Sequence, residues 1–272
     1  MHLQRLQQLA RGAPRPVSAQ RLHAGAAHAA RRGAACRAQP SAVEAAPGLR
    51  PEPWIGNEQQ QQALAELRGR MQECPLGCPD DETLKWYLRD RYFIVEDAET
   101  KLTSMLRWRK EEGIDTLDLS TVQAELATGK AEVHEHTDRY GRPVIIIRVN
   151  RHVTGEFPLS ESKRLCAHVL DGAVASLPPG GEQMMGVFDL KGFELKNADL
   201  QFAGFLVEAF FEYYPRRMGQ VLMVDAPWIF QPSWAVIKPL LRKYAALVRF
   251  VDRATLEREF FEPGKLPEDL RA

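Results

Sequence analysis

Apolar residues recur every three or four positions along the first half of the chain, which predicts a series of helices. Short polar residues stand where such helices begin, and glycine stands where one ends. The third helix, for example, runs from about Val95 to Glu112 and ends at Gly113. We predict helix starts at Asn57 (for a helix through about Glu73), at Asp80, at Val95 and, through a capping box with Gln123, at Ser120.

The pattern changes from about Glu132, where short apolar runs bounded by turn residues alternate with helical segments. This alternation predicts an α/β layer with much parallel strand pairing. The predicted strands are 133–136, 144–149, 184–190, 220–225 and 247–251, and the predicted helices between them are 161–176, 199–214 and 232–243.

The last two of these helices are unusually apolar. The helix from Asp199 has one apolar stripe, but the stretch PSWAVIKPLL leaves few polar positions on any side. A helix of this kind must be covered on more than one side. The pattern fits ordinary core with a kink at Pro239, or a cavity between helix and sheet that holds an apolar ligand.

Charge is distributed unevenly along the chain. Residues 1–43 contain seven arginines and no acidic residue, whereas all 36 acidic residues lie from Glu44 onward. This alanine- and arginine-rich segment matches an organelle transit peptide, of a plastid or a mitochondrion, or else a disordered basic tail. If it is removed near Glu44, the remaining chain has a net charge of about −7, so only a local basic patch could bind membranes or nucleic acid.

Motifs of nucleotide, hydrolase and metalloprotease chemistry are missing from the sequence. His134 and His136 share one face of a predicted strand, but no further ligand is spaced to complete a metal site. Cys74 and Cys78 fit ordinary loop cysteines or a thiol switch. We therefore expect no catalytic residues, no metal and no cofactor, and consider an enzyme the weaker class.

Four stretches, in order, resemble the CRAL-TRIO (Sec14-like) lipid-binding family. They are a helical lead-in (LKWYLRDRYFIVEDAETKLTSMLRWRKEEGID), a turn into a strand (DRYGRPVIII), the stretch FDLKG, and YYPRRMGQVLMVDAPWIF followed by IKPLL. Together they cover about residues 80–262.

The resemblance implies an α/β fold with a helical N-terminal subdomain. Its sheet would be mixed, largely parallel and five-stranded, and a gate helix would close a hydrophobic pocket above it. The implied organisation is a transit peptide at 1–43, a linker at 44–56, the helical segment at 57–113 and the lipid-binding domain at 114–272.

The resemblance and the apolar pattern together give a set of expected pocket residues. Most of them are large apolar side chains from the strands, from the helix at Asp199 and from the gate region. The expected lipid-binding residues are Ile145, Ile147, Met185, Val187, Phe202, Phe205, Leu206, Phe210, Tyr213, Arg216, Trp228, Phe230, Trp234, Ile237, Leu241 and Arg249.

Departures from the family pattern bear on the cargo. Members that transfer phosphatidylinositol have a glutamate where this chain has Arg216, and a lysine where it has Val248, beside Arg249. Hydroxyls that some members use for phosphatidylcholine are replaced by Ile145, Met184 and Gly186. Arg216 with Arg249 could hold a small anionic phosphate, as in phosphatidic acid, or Arg216 could be solvated. The apolar strand face instead suits an isoprenoid.

The resulting expectation is a non-enzymatic protein, in the plastid stroma or alternatively the mitochondrion, that binds a lipid as cargo. It would contact membranes transiently as a peripheral protein, would bind no nucleic acid, and would transfer or present its lipid between membranes. The alternative is a membrane-recruited, lipid-sensing adaptor for an unknown protein partner. A local basic patch for anionic membranes could be formed by Arg217, Lys238, Arg242 and Lys243.

Overall fold

A computed structural model describes residues 49–272, and the transit peptide predicted at 1–43 lies outside this range. The helices are α1 (Glu58–Gln72), α2 (Asp81–Asp90), α3 (Val95–Glu112), α4 (Gln123–Ala127), α5 (Leu159–Ala175), α6 (Leu200–Glu208), α7 (Gln231–Leu241) and α8 (Arg253–Phe260). The strands are β1 (Ala131–Val133), β2 (Val144–Arg148), β3 (Met184–Asp189), β4 (Met218–Val224) and β5 (Val248–Val251).

Helices α1 to α3 form a helical lead-in with its own apolar core. The side chain of Asn57 accepts from the Gln60 amide and that of Asp80 accepts from the Thr83 amide, as their capping roles require. Gly113 ends α3 with a φ of 66°, a left-handed conformation that glycine adopts without steric cost. The three helices bury Leu67, Leu84, Leu88, Ala98 and Leu102 completely.

One five-stranded sheet follows, with its strands in sequence order. β1 pairs antiparallel with β2, and the other three pairings are parallel. The expected mixed, largely parallel α/β fold is therefore confirmed.

The two faces of the sheet are covered differently. One face packs against α8 and the C-terminal segment, whose Phe260, Phe261 and Leu270 are almost fully buried. The other face lies under α5, α6 and α7. Because side chains alternate along a strand, each strand contributes every second residue to each face.

Three local predictions differ from the structure. β1 ends at Val133, because the chain bends at Glu135 toward the turn at Asp138. Asp118, not Ser120, caps the short 3-10 turn Leu119–Val122 before α4, accepting from the Ser120 amide. The helix predicted to reach Tyr214 changes after Glu208 into a π-helical turn, Ala209–Tyr213.

Candidate functional site

A cavity of about 210 Å³ lies between the sheet and helices α5, α6 and α7. One water needs roughly 10–15 Å³ of such volume, so the space is far larger than a packing defect. Its walls are almost entirely apolar. The strands contribute Ile145, Ile147, Phe188, Met218, Val221, Met223 and Val248 to the lining.

Helix α7 covers one side of this cavity and is apolar on two faces. Ser233, Ile237 and Leu241, four residues apart, line the cavity. The opposite stripe faces solvent and consists of Pro232, Ala235, Val236 and Pro239. Val236 is 50% exposed, and nearby Trp228 is 83% exposed. The sequence interpretation that α7 is covered on more than one side is therefore wrong for residues 49–272 taken alone.

Many of the expected pocket residues do line the cavity. They come from β2, from α6 and the π turn after it, from the segment before β4, and from the region of α7. The structure places Ile145, Ile147, Phe202, Leu206, Phe210, Arg216, Phe230, Ile237 and Leu241 around it.

Met185 and Val187 were expected in the pocket but lie on the other face of the sheet. Both are completely buried against the C-terminal segment. The prediction chose the wrong register of the strand alternation, since Phe188 is the β3 residue in the lining.

Phe205 and Tyr213 pack away from the cavity, against the helical lead-in. The Tyr213 ring stacks on Trp108 with centroids 4.2 Å apart, and Phe205 lies 6.1 Å from the same indole. The backbone carbonyl of Tyr213 also accepts from the Tyr87 hydroxyl at 3.0 Å. These two residues join α3 to α6 and to the π-helical turn after it.

Trp228, just before α7, and Trp234, within α7, also lie outside the lining. Trp228 is largely in solvent, and the Trp234 ring packs edge-on against Phe250 at 5.2 Å. Helical periodicity puts Trp234 one position away from the inward stripe of Ser233 and Ile237.

Arg216 reaches the cavity wall, but its guanidinium is held by the helical lead-in. Its Nε donates to Asp90 at 2.6 Å, and its Nη1 donates to the Arg50 carbonyl at 2.7 Å. The side chain is 4% exposed. Lys101 donates to the other Asp90 oxygen at 2.8 Å. Burial raises the pKa of Asp90, but Lys101 and Arg216 outweigh it, and the net pKa lies below the ordinary value.

Arg249 lies on the packed face of the sheet. In the parallel register Val248 pairs with Val221 on the cavity face and Arg249 with Leu222 on the other. Its Nη2 donates to Glu259 at 3.0 Å, and its guanidinium lies over the Phe260 ring. Arg216 and Arg249 therefore do not converge on one phosphate, and neither is simply solvated.

The expected basic patch is smaller than the sequence indicated. Lys238, Arg242 and Lys243 are exposed along and after α7. Arg217 instead lies 3.4 Å from the Trp86 ring centroid, and burial lowers its pKa to about 10.

A polar cluster at one end of the cavity has no counterpart among the expected residues. Lys130, His152, Ser162, Asn197 and Asp199 all line this end. They come from separate turns and helices, so no local motif marks them. The one available signal is topological: Lys130 precedes β1 and His152 follows β2, and antiparallel pairing brings those positions together.

The cluster is organised around Lys130. Its ammonium donates to Glu125 Oε1 and, at 2.9 Å, to His152 Nδ1. His152 Nε2 then donates to Asp199 at 3.2 Å. Burial and the nearby Lys130 charge lower the pKa of His152, which keeps the ring neutral near neutral pH. Ser162 donates to Glu125, not to the imidazole, so His152 is not placed as a base for this hydroxyl.

Two absences concern residues 49–272 only. No group of three or more histidine, cysteine or acidic side chains in this range could hold a metal ion. No helix in the same range combines the length and apolarity that crossing a bilayer requires.

Comparison with known proteins agrees with the architecture. The chain is 29% identical over 210 residues to a CRAL-TRIO domain-containing protein of Schizosaccharomyces pombe, covering 70% of this chain and 47% of the relative. It is 27% identical over 241 residues to the phosphatidylinositol transfer protein CSR1 of Eremothecium gossypii, covering 81% and 54%. The chain thus spans about half the length of these relatives.

A solved structure shares the fold of this chain, and a family model identifies its family. The crystal structure of Sfh5 matches with a TM-score of 0.56 at 15% identity, over 76% of this chain and 85% of that one. The family model described as the CRAL/TRIO domain matches residues 127–270, which contain the whole sheet and the cavity. This chain therefore belongs to the CRAL-TRIO family of Sec14-like lipid-binding proteins.

Proposed function

We propose that the chain binds one hydrophobic lipid in the cavity and transfers it between membranes, without catalysing a reaction. The observation that carries this proposal is the apolar cavity under a helix that is apolar on both faces. Outward movement of α7 would open the cavity and bring its outer stripe onto a bilayer. The names of relatives such as CSR1 support lipid transfer as the general activity.

The energetics favour reversible exchange. Moving a lipid tail from water into the cavity recovers roughly 0.8 kcal/mol per methylene. A tail inside a bilayer is already out of water, so the cavity need only match the bilayer closely. The exposed apolar stripe of α7 loses contact with water when it meets the membrane, which favours transfer at the surface.

Basic residues beside α7 support transient contact with an anionic surface. Lys238 lies on α7, and Arg242 and Lys243 follow it directly. Each basic residue near an anionic membrane contributes about 1 kcal/mol. Such a patch gives weak, salt-sensitive association and not permanent anchoring.

For the cargo, the geometry favours an isoprenoid or another largely apolar lipid over an anionic phospholipid such as phosphatidic acid. The two arginines that were expected to bind a phosphate instead form ion pairs within the protein. Arg216 pairs with Asp90 and Arg249 pairs with Glu259. The rest of the lining is apolar apart from the cluster at Lys130.

Vesicle assays with two neighbouring variants test this function. Ile237→Asp places a carboxylate in the cavity wall and should abolish lipid loading, because an unpaired buried charge is costly. Val236→Asp, the matched control, points to solvent and should load normally while transferring lipid more slowly from the membrane surface. Equal loading by wild type and Ile237→Asp, with both folded, would contradict a cavity under α7.

The same assay separates the alternative function. An adaptor would retain its lipid, so vesicle transfer would be absent although the purified chain contained lipid. Appearance of labelled lipid in acceptor vesicles in proportion to the wild-type protein would support transfer.

We also propose that residues 1–43 direct the chain to a plastid, with the mitochondrion as the second candidate. The composition of this segment, seven arginines without an acidic residue, supports import. A fusion of residues 1–43 to a fluorescent protein would be offered to isolated chloroplasts and mitochondria. Protease-protected fluorescence in neither organelle would contradict the proposal.

A further inference from the structure

His152, at the polar end of the cavity, lies between a cation and an anion. The Lys130 ammonium is 2.9 Å from His152 Nδ1, and a carboxylate oxygen of Asp199 is 3.2 Å from Nε2. An ammonium only donates hydrogen bonds and a carboxylate only accepts them. Nδ1 must therefore be unprotonated and accept from Lys130, while Nε2 carries the hydrogen and donates to Asp199. This chain of contacts exists only while the imidazole is neutral.

The groups on both sides of His152 are themselves held in place. Lys130 is 5% exposed and is bound to Glu125, which is fully buried on α4. Asp199 is the N-cap of α6, and its second oxygen accepts from the Phe202 amide at 2.8 Å. The imidazole also stacks on the Phe202 ring, with centroids 5.3 Å apart. The ring is thus fixed by the segment before β1 on one side and by α6 on the other.

The charged groups around His152 act on it in opposite directions. Burial and the Lys130 ammonium lower its pKa, whereas Asp199 and Glu125 raise it, and the net pKa lies below the ordinary value. Arg151, the neighbour in sequence, is exposed and donates to a backbone carbonyl. The α5 residues in the cavity lining carry no charge. A second proton on the ring would therefore face the Lys130 ammonium and find no acceptor there.

The same contacts close one end of the cavity. Lys130, His152, Asp199 and Phe202 all belong to the lining, and the helix that Asp199 caps, α6, packs against α7. A proton on Nδ1 would place two positive charges 2.9 Å apart in a buried site. Movement of α6 away from the ring admits water, which screens these charges and removes the penalty of burial. Protonation of His152 and opening of the cavity therefore favour each other.

We infer that His152, together with Lys130 and Asp199, forms an acid-sensitive latch, in which protonation of His152 loosens α6 and speeds release of the lipid from the cavity. The open state binds the proton more tightly than the closed state, so acid shifts the equilibrium toward opening. The closed state is favoured above the ordinary pKa of 6.5 and loses that advantage as the pH falls toward its own, lower pKa. This inference rests on the proposed lipid-binding function and adds its regulation.

Transfer of diphenylhexatriene from the full chain to phosphatidylcholine vesicles tests the latch. Neither the probe nor this lipid changes charge over the range used, so an acceleration would originate in the protein. We expect the transfer rate to rise at least about threefold between about pH 7.5 and about pH 5.5, with circular dichroism showing a folded chain at both. An equal rate at the two pH values would overturn the inference.

The variant His152→Gln locates the effect. Glutamine can accept from Lys130 through its carbonyl oxygen and donate to Asp199 through its amide, but it does not titrate. The ratio of the rate at about pH 5.5 to the rate at about pH 7.5 should fall to about one in this variant. An acceleration as large as that of the wild type would mean that another group responds to acid, which would rule out the latch.

His168→Gln is the matched control. His168 lies on α5, which also covers the cavity, but it is exposed and outside the lining. This variant should keep the full acceleration in acid. Loss of the acceleration in His168→Gln would assign the response to a surface histidine and count against the latch.

The double variant Lys130→Met/Glu125→Gln tests the role of the neighbouring charge. Both partners of the buried ion pair change together, so neither charge is left alone. Because Lys130 lowers the pKa of His152 more than Glu125 raises it, the pH of half-maximal acceleration should move upward. A midpoint that stays in place or moves downward would contradict a latch built on Lys130. If this variant does not fold, the two histidine variants decide.

Failure of the inference differs from failure of the proposed function. A wild-type chain that takes up neither diphenylhexatriene nor vesicle lipid would refute lipid binding itself. A chain that binds the probe and transfers it at one rate over the whole pH range would refute only the latch.

Discussion

The two faces of the sheet are built from alternate residues of the same strands, yet they differ in how they are filled. On the C-terminal face, Val144, Ile146, Met185 and Val187 are completely buried and pack against Phe261. On the cavity face, neighbouring residues such as Phe188 are only partly buried and border empty volume. Strand alternation therefore separates a face that stabilises the fold from a face that can bind a ligand.

The helices that cover the two faces differ in the same way. The C-terminal face is covered by side chains with almost no exposure, including Leu256 and Phe260 of α8. The cavity face is covered in part by α7, in which Ser233 is buried while Val236 is 50% exposed. A helix with so little buried surface can leave the sheet at lower cost than α8.

The largest expected effect compares two phenylalanines on opposite faces. Phe261→Ala should lower the free energy of unfolding by about 3–5 kcal/mol, because it opens a void in a closed core. Phe188→Ala, the same change on the cavity face, should cost roughly half as much or less, because its surroundings are already partly empty. Urea denaturation of both variants measures this difference. Equal losses of unfolding free energy would contradict the claim that the two faces of the sheet are packed differently.

The next effect concerns the junction between the helical lead-in and the cavity wall. Asp90→Asn leaves Arg216 and Lys101 buried without their carboxylate, which should cost about 3–5 kcal/mol of unfolding free energy. The control Asp81→Asn removes an exposed ion pair with Arg68 and should cost at most about 1 kcal/mol. Similar losses in the two variants would mean that the buried pair does not hold the lead-in in place.

The smallest effect is a pH dependence at the polar end of the cavity. His152 has a pKa below its ordinary value of 6.5, because of burial and Lys130, although Asp199 and Glu125 act in the opposite direction. The unfolded state therefore binds more protons as the pH drops below 6.5, and stability is lost down to the folded pKa.

Comparison with His152→Gln isolates this contribution. The free energy of unfolding of both proteins would be measured by urea denaturation from neutral to acidic pH. The wild type should lose more stability than the variant below pH 6.5, and parallel curves would contradict a His152 whose pKa is lowered in the folded state.

The sequence predicted the scaffold well because its signals are local. Asn57, Asp80 and Gly113 mark helix ends through contacts within one turn, and the apolar runs mark the strands. The faces of β3 were harder to assign. Met185 and Phe188 are both apolar in a strand buried on both sides, so hydrophobicity alone does not say which one borders the cavity.

The charged residues were the least predictable part of the site. Arg216 looked like a headgroup ligand, but its partner Asp90 lies 126 positions earlier in the chain. Lys130 was not singled out from the sequence, and its partners Glu125 and His152 belong to α4 and to the segment after β2. Pairings of this kind depend on tertiary contacts that no local pattern encodes.

Native mass spectrometry of the purified chain, followed by extraction and identification of the bound molecule, tests the central claim most directly. We predict one largely apolar lipid per chain, which exchanges when the protein is mixed with vesicles. A chain that is purified empty and takes up no lipid from vesicles would contradict lipid binding by the cavity.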